Sequence, residues 1–160
     1  MGSTQHDTDF YRWTEEQAAL LRSLPEEGCP FDRDALAEEL EDMGRGEIRE
    51  ISSLLRQTLV HLLKIVLDPH APAVDHWFDE VLTFQGDAVL AFSPGLRQRL
   101  DLEKIWRVAC NGATRSLAKH GVTVPSLPTT CPLDLDSLLS PEFDPDLAVK
   151  ALSAAIGVRA

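Results

Sequence analysis

The stretch from residue 47 to residue 67 constrains the fold more than any other part of this 160-residue sequence. Large apolar side chains recur there every three or four positions, which places them on one face of a helix about six turns long. Its second half is apolar nearly all round, as in a helix surrounded by others. The sequence therefore predicts an all-α, single-domain bundle of about five to seven helices, with 47–67 as the buried centre. The apolar face comprises Ile48, Ile51, Leu55, Leu59, Leu62 and Val66.

The rest of the chain alternates helical periodicity with breaks rich in proline, and we find no convincing strand pattern. Leu36, Leu40, Met43 and Glu47 share one helical face, with Gly44 and Gly46 weakening the helix between them, and the central helix is expected to begin at about residue 47. Residues 1–6 are expected to be a flexible N-terminus, 7–145 the helical-bundle domain, and 146–160 a C-terminal helix or tail. Further helices are expected at 7–24, 32–43, 75–91, 101–120, 133–139 and 146–156, with another start at Ser93 and Pro94.

Capping residues mark the ends of several of these helices, and two of the helices have a clear apolar face. Asp32 and Asp75 are suitable N-caps for the helices that follow them, and Gly121 is a suitable C-cap. In the first helix the face consists of Phe10, Trp13, Leu20, Leu21 and Leu24. In the helix over 101–120 it consists of Leu102, Trp106, Ala109, Ala113 and Leu117.

Composition excludes several classes of protein. The formal net charge of −11 and the pI near 4.8 oppose a protein whose main role is to grip phosphate backbones. No run approaches the ~20 apolar residues that a bilayer span requires, and the start lacks a secretion signal, so we expect no membrane partner and a cytoplasmic location. Cys29, Cys110 and Cys131 are widely spaced and odd in number, which indicates reduced thiols rather than disulfides or a zinc site.

Histidines and carboxylates supply the candidates for an enzyme. The common phosphate, nucleophile and metal motifs do not occur, so we predict no cofactor and favour a protein that is not an enzyme. His61 lies on the central helix and is a weak candidate for a buried base or metal ligand; the alternative is a core histidine satisfied by one hydrogen bond. His76, Asp79 and Glu80 have the helical spacing of a metal site and form the second weak candidate.

The charge is distributed unevenly along the chain. Residues 1–50 hold fourteen acidic and five basic side chains, whereas 97–119 hold six basic and two acidic ones. On a helix, part of the basic group forms one stripe opposite the apolar face. The stripe is either an ordinary solvated face or a patch for an acidic partner. Its members are Lys104, Arg107, Asn111, Arg115 and Lys119.

Several motifs, in their order along the chain, resemble a known family. They include Asp9-Phe10-Tyr11-Arg12-Trp13, the run from Leu36 to Arg45, His61-Leu62-Leu63-Lys64, the run from Ser93 to Arg97 and the run from Thr130 to Leu133. Together they resemble the bacterial helical family catalogued as domain of unknown function 29, over about residues 7–145. The resemblance implies an all-α bacterial protein and no established activity. The chain departs from the family pattern at Ile65, at Asp68 and at Phe78-Asp79-Glu80.

The expected function is that of a protein-interaction or regulatory module, acting through the basic stripe on a protein partner or on a second copy of the chain. Two alternatives stay open: a metal-dependent enzyme that uses His61 or the His76, Asp79 and Glu80 group, and nucleic-acid binding through the helix face 104–119. The acidic first fifty residues oppose the nucleic-acid alternative, because they repel phosphate at long range. Leu147, Ala151 and Ala155 make the C-terminal helix the expected element of self-association.

Overall fold

The computed structural model describes residues 3–158, and within that range it consists of α-helices, one 3₁₀ helix and connecting segments. No strand occurs among the described residues, so the predicted all-α fold is confirmed. The 3₁₀ helix Pro94–Arg99 lies between the fourth and fifth α-helices. The α-helices are α1 (Ser3–Thr8), α2 (Phe10–Ser23), α3 (Arg33–Leu67), α4 (Val74–Ala91), α5 (Leu102–Ala118), α6 (Leu135–Leu138) and α7 (Pro145–Ile156).

Helix α3 is continuous over 35 residues, so the expected start of the central helix at about residue 47 is wrong. It begins where the helix over 32–43 was predicted to begin, because Asp32 Oδ1 accepts a hydrogen bond of 3.0 Å from the backbone N–H of Ala35. The helix continues through Gly44 because this residue lies against α2: a Cβ there would be 2.7 Å from Thr14 Oγ1. The close helix contact offsets the low helix propensity of glycine.

The chain divides into two compact units. Unit 1 consists of the described residues of Met1–Ile51 together with Ala91–Leu100. Unit 2 consists of Ser52–Leu90 and the described residues of Asp101–Ala160. The boundary falls inside α3, so the first half of this helix belongs to unit 1 and the second half to unit 2.

Small side chains form much of the interior of unit 1. Tyr11, Thr14 and Ala18 are the buried residues of α2, so the expected inward face of this helix is wrong. Leu20 and Leu24 are 58% and 41% exposed. Phe10 and Trp13 pack with His6 of α1, with ring centroids 5.2 and 4.7 Å from the imidazole. Helix α2 therefore meets Gly44 of α3 through Tyr11 and Thr14, and it packs Phe10 and Trp13 with α1.

Asp9 joins two helix starts within unit 1. Its Oδ1 accepts a 3.2 Å hydrogen bond from the backbone N–H of Arg12, which caps α2. The same carboxylate accepts hydrogen bonds from Ser93 Oγ at 3.2 Å and from the backbone N–H of Gly95 at 2.8 Å. Arg99, at the end of the 3₁₀ helix, donates a 3.0 Å bond to Glu15 on α2. The 3₁₀ helix is therefore held against α2 at both ends.

The second half of α3 is the buried centre of unit 2, as predicted. Leu55, Leu59, Leu62 and Leu63 are fully buried. Gln85 of α4 donates from its amide nitrogen to the carbonyl of Leu138 at 3.0 Å and to that of Ser140 at 2.9 Å. Asp75 lies in the first turn of α4 rather than capping it, because the helix begins at Val74.

None of the helices within residues 3–158 is both long enough and apolar enough to cross a membrane.

Candidate functional site

Helix α5 separates an apolar face from a basic one. Asp101 begins the helix by accepting a 2.9 Å hydrogen bond from the backbone N–H of Lys104. After its last turn, Val122 N–H bonds to the carbonyl of Leu117, and Gly121 adopts the left-handed conformation that favours glycine. The buried side is formed by Ile105, Trp106, Ala109, Ala113 and Leu117. The five predicted members of the basic face, Lys104, Arg107, Asn111, Arg115 and Lys119, are all exposed.

The cations of this face have no carboxylate partner among the residues that the structure describes. In the part of the chain that the structure describes, Lys104, Arg107, Arg115 and Lys119 form no ion pair. Unit 1 differs, because most of its arginines are paired. The pairs there are Arg12–Glu16, Arg22–Glu41, Arg33–Glu26, Arg33–Asp34, Arg45–Asp42 and Arg99–Glu15.

The two carboxylates nearest in sequence to the basic face bond to backbone groups instead. Asp101 caps α5. Glu103 Oε2 accepts a hydrogen bond of 3.1 Å from the backbone N–H of Cys131. Within the described chain, four cations that form no ion pair therefore lie along about 22 Å of one helix face of an acidic protein.

A groove of about 540 Å³ runs along one flank of the basic face. Six residues of α5 line it at the spacing of a single helix face, and two of them, Arg107 and Asn111, belong to the basic face. The groove lies wholly within unit 2. Its α5 side is formed by Glu103, Trp106, Arg107, Cys110, Asn111 and Thr114.

The opposite wall is an extended segment that returns along α5. Val122 bonds to Leu117, Pro128 accepts a 2.8 Å hydrogen bond from the indole N–H of Trp106, and Cys131 bonds to Glu103. These contacts show that the segment runs antiparallel to the helix. Between them, residues 123–130 form no backbone–backbone hydrogen bond with any described residue. The residues of this wall are Val124, Pro125, Leu127, Pro128 and Thr129.

His61 is half-buried on α3, and its Nδ1 lies 2.8 Å from the carbonyl of Gln57. Because a carbonyl only accepts, Nδ1 carries the hydrogen and Nε2 has the lone pair. The ring centroid is 5.6 Å from that of Phe84. Burial lowers the pKa of His61, and Lys64 and His76 lower it further, against the raising effects of Gln57 and Glu80. The imidazole is therefore neutral at pH 7.

The second histidine candidate is at the start of α4. His76 Nε2 lies 3.8 Å from Glu80 Oε1, and His76 and Asp79 are exposed. Among the described residues, no three histidine, cysteine or carboxylate side chains are close enough together to hold a metal ion. Glu80 thus lies near His76, and its negative charge also raises the pKa of His61. The described residues here do not form a metal-binding group.

Two cysteines lie close to the groove. Cys110 lines it, and Cys131 bonds through its backbone to Glu103. Burial raises the pKa of both thiols to about 11, and each therefore stays protonated at neutral pH. Neither thiol adds negative charge beside Arg107.

On α7, none of the described residues covers the apolar stripe that was expected to mediate self-association. Leu147 is 61% exposed, and Ala151 and Ala155 are also exposed. Ala148, Leu152 and Ser153, on the other side of the helix, are buried.

The fold and the site define a class of protein: an all-helical protein with an unpaired basic helix face. The family model described as "Domain of unknown function DUF29" matches residues 5–144, and the chain belongs to this family. A search of curated proteins gave no match. The chain is similar to an alpha-helical protein of unknown function from Rhodospirillum rubrum, whose crystal structure was determined at 1.45 Å resolution. The two are 34% identical with a TM-score of 0.84, over 92% of this chain and 96% of the other.

Proposed function

We propose that this protein is a non-enzymatic interaction module, and that the basic face of α5 binds an acidic surface of a protein partner. The observation that carries the proposal is the absence of ion pairs, within the described chain, at all four cations of that face. In a protein of net charge −11, a cluster of unneutralised cations is a local exception.

Charge complementarity between two surfaces accelerates encounter and fixes the relative orientation of the partners more than it adds affinity. Exposed pairs of this kind are each worth about 0–1 kcal/mol, so a partner needs several of them together. Helix α5 meets this requirement because Lys104 and Lys119 are separated by four turns of a single capped helix. Attraction at this face also weakens as salt screens it.

Charge reversal tests the proposal. The variant Lys104→Glu/Arg115→Glu changes two cations of the face that do not line the groove, and Lys150→Glu is a single-reversal control on α7, where the lysine is exposed and outside the face. Proteins captured from an extract of the source organism are quantified by mass spectrometry. We expect a group with acidic pI that the full chain and Lys150→Glu capture equally and that the double variant loses.

A second copy of the chain is the other partner to be distinguished. Sedimentation equilibrium at ~100 μM, on the full chain and on a chain that ends at Pro145, measures self-association directly. If both chains are monomeric and charge reversal leaves every captured protein in place, the proposal is wrong. If only the full chain associates, the uncovered stripe of α7 is its contact and the partner is a second copy.

A further inference from the structure

The groove beside α5 has the form of a binding site for a linear ligand. Its helical wall extends from Glu103 to Thr114, which is about 16 Å along the axis and matches about five residues of extended chain. Its volume of about 540 Å³ lies within the range of sites that enclose ligands. It is therefore long enough for a short peptide.

The opposite wall offers backbone groups. Residues 123–130 form no backbone–backbone hydrogen bond within the described chain, and of their carbonyls that of Pro128 accepts the indole N–H of Trp106, so the other backbone groups have no backbone partner. A peptide that lies beside such a segment adds to it as a strand, through main-chain hydrogen bonds. Pro125 and Pro128 have no donor, and of the residues that line the groove Leu127 and Thr129, two positions apart, keep an N–H on the same side of an extended chain.

The side chains of the groove indicate the charge of the peptide. Arg107 presents an unpaired guanidinium beside the amide of Asn111, and this combination of donors suits a carboxylate. Glu103 also lines the groove and keeps its negative charge, with Oε2 accepting the backbone N–H of Cys131, so the acidic side chains of a ligand would contact the Arg107 and Asn111 end. Leu127 and Val124 supply an apolar wall opposite. The preferred ligand accordingly combines acidic with apolar side chains.

We propose that this groove binds an extended acidic peptide segment of another protein, held by strand addition to residues 123–130 and by contact of its carboxylates with Arg107 and Asn111. The inference rests on the proposed function, because it assigns the form of the acidic partner at the same helix. A single-stranded nucleic acid fits less well. It requires aromatic faces on which bases stack, and Trp106 is 1% exposed, with its N–H bonded to Pro128.

A displayed library of random eight-residue peptides, selected against the full chain, tests the proposal. We expect the selected peptides to be richer in Asp and Glu than the library. One of them is then synthesised with a fluorophore, and its binding is measured by anisotropy. Arg107→Glu should weaken binding by at least about tenfold, whereas Lys150→Glu should change it by less than about twofold.

Two further variants fill the groove and leave its charge unchanged. Thr114→Trp acts from the α5 wall, and Thr129→Trp acts from the exposed extended wall, so that one result stands if the other variant fails to fold. Each should weaken peptide binding by at least about tenfold. Methylation of alternate backbone nitrogens of the peptide should do the same, because it removes the donors of an added strand.

Several outcomes would overturn the inference: no selected peptide, selection without acidic enrichment, affinity unchanged in both tryptophan variants, or displacement of the peptide by a dT20 oligonucleotide. The variant Arg115→Glu/Lys119→Glu separates the two proposals, because these residues belong to the basic face and not to the groove. If captured proteins are lost there and retained in Thr114→Trp, the basic face binds partners but the groove does not. If peptides bind in the groove while no captured protein depends on the face, the groove binds peptides but the basic face does not bind partners.

Discussion

Asp9 and Gly95 are in direct contact although 86 residues separate them. The backbone N–H of Gly95 donates a 2.8 Å hydrogen bond to Asp9 Oδ2, and a Cβ at position 95 would lie 2.6 Å from Asp9 Oδ1. The carboxylate therefore occupies the space that any side chain at position 95 would need. It also caps α2, so that a single residue satisfies backbone donors at the starts of two helices.

Removing this carboxylate should destabilise unit 1. We expect Asp9→Ala to lower the free energy of unfolding by about 1–3 kcal/mol, because a helix cap and a bond to Gly95 are lost together. Gly95→Ala should cost about 1–3 kcal/mol through the clash. Chemical denaturation measures both. In the double variant the clash is absent, so its cost should be less than the sum of the two; additive costs would contradict the contact.

The two glycines inside α3 should respond in opposite directions to alanine. Gly44→Ala should destabilise by about 1–3 kcal/mol, because the new Cβ would lie 2.7 Å from Thr14 Oγ1 and 3.3 Å from Tyr11 Cδ2. Gly46→Ala meets nothing within 4 Å and should stabilise by up to about 1 kcal/mol. Thermal melts compare them. Thr14→Ala should relieve much of the cost at position 44, and equal effects at the two glycines would refute the packing described.

His61 should make stability depend on pH. Burial lowers its pKa below 6.5, so the unfolded chain binds a proton first as the pH falls. The free energy of unfolding should therefore be unaffected by this group well above pH 6.5. It should decrease as the pH falls from about 6.5 to the lowered pKa, by at most about 1.4 kcal/mol per pH unit.

Denaturation of the native protein and of His61→Gln between pH 7.5 and 5 measures the contribution of this one group. The difference between the two curves isolates His61 from the carboxylates, and His120→Gln, at an exposed histidine, is the control. If the stability difference between the two proteins instead grew as the pH rose, the shift in the His61 pKa would have the opposite sign. That result would contradict burial as the main cause of the shift.

The cysteines near the groove should be slow to react. With the pKa of Cys110 and of Cys131 raised to about 11, iodoacetamide should label them about a hundredfold more slowly at neutral pH than thiols of pKa 9.0. The variant Cys29→Ser leaves only these two thiols, and intact mass follows the labelling. Denaturant should restore the ordinary rate; rapid labelling of the folded chain would show that the thiols are not buried as described.

The periodicity of the sequence was sufficient to predict most of the longer helices, the buried half of α3 and the exposed basic face of α5, but it missed α1, where a flexible N-terminus was expected. It failed at α2, where the large apolar residues alone suggested the inward face. Contact between α2 and α3 involves Tyr11, Thr14 and Gly44, and threonine and glycine carry a weak signal in any hydrophobic pattern. Gly44 was interpreted only as a residue that weakens its helix, because its packing partners are on another helix.

The groove was not predicted, because one of its walls has no periodicity. Pro125 and Pro128 correctly indicated an extended segment between helices. The bonds that hold this segment against α5 connect Trp106 to Pro128 and Glu103 to Cys131, which are 22 and 28 residues apart. No local spacing rule relates such positions, although the N–H of a buried indole generally has a hydrogen-bond acceptor nearby.

Unit 1 is assembled from two separate stretches of the chain, and this limits how the protein can be dissected. A fragment that ends at residue 51 would lack Ser93, Gly95 and Arg99, leaving Asp9 and Glu15 without these donors. It would also lack Leu96, which is fully buried. Producing unit 1 alone therefore requires a chain in which residue 51 is joined to residue 91 through a linker. Cleavage of any single peptide bond cannot release the unit intact.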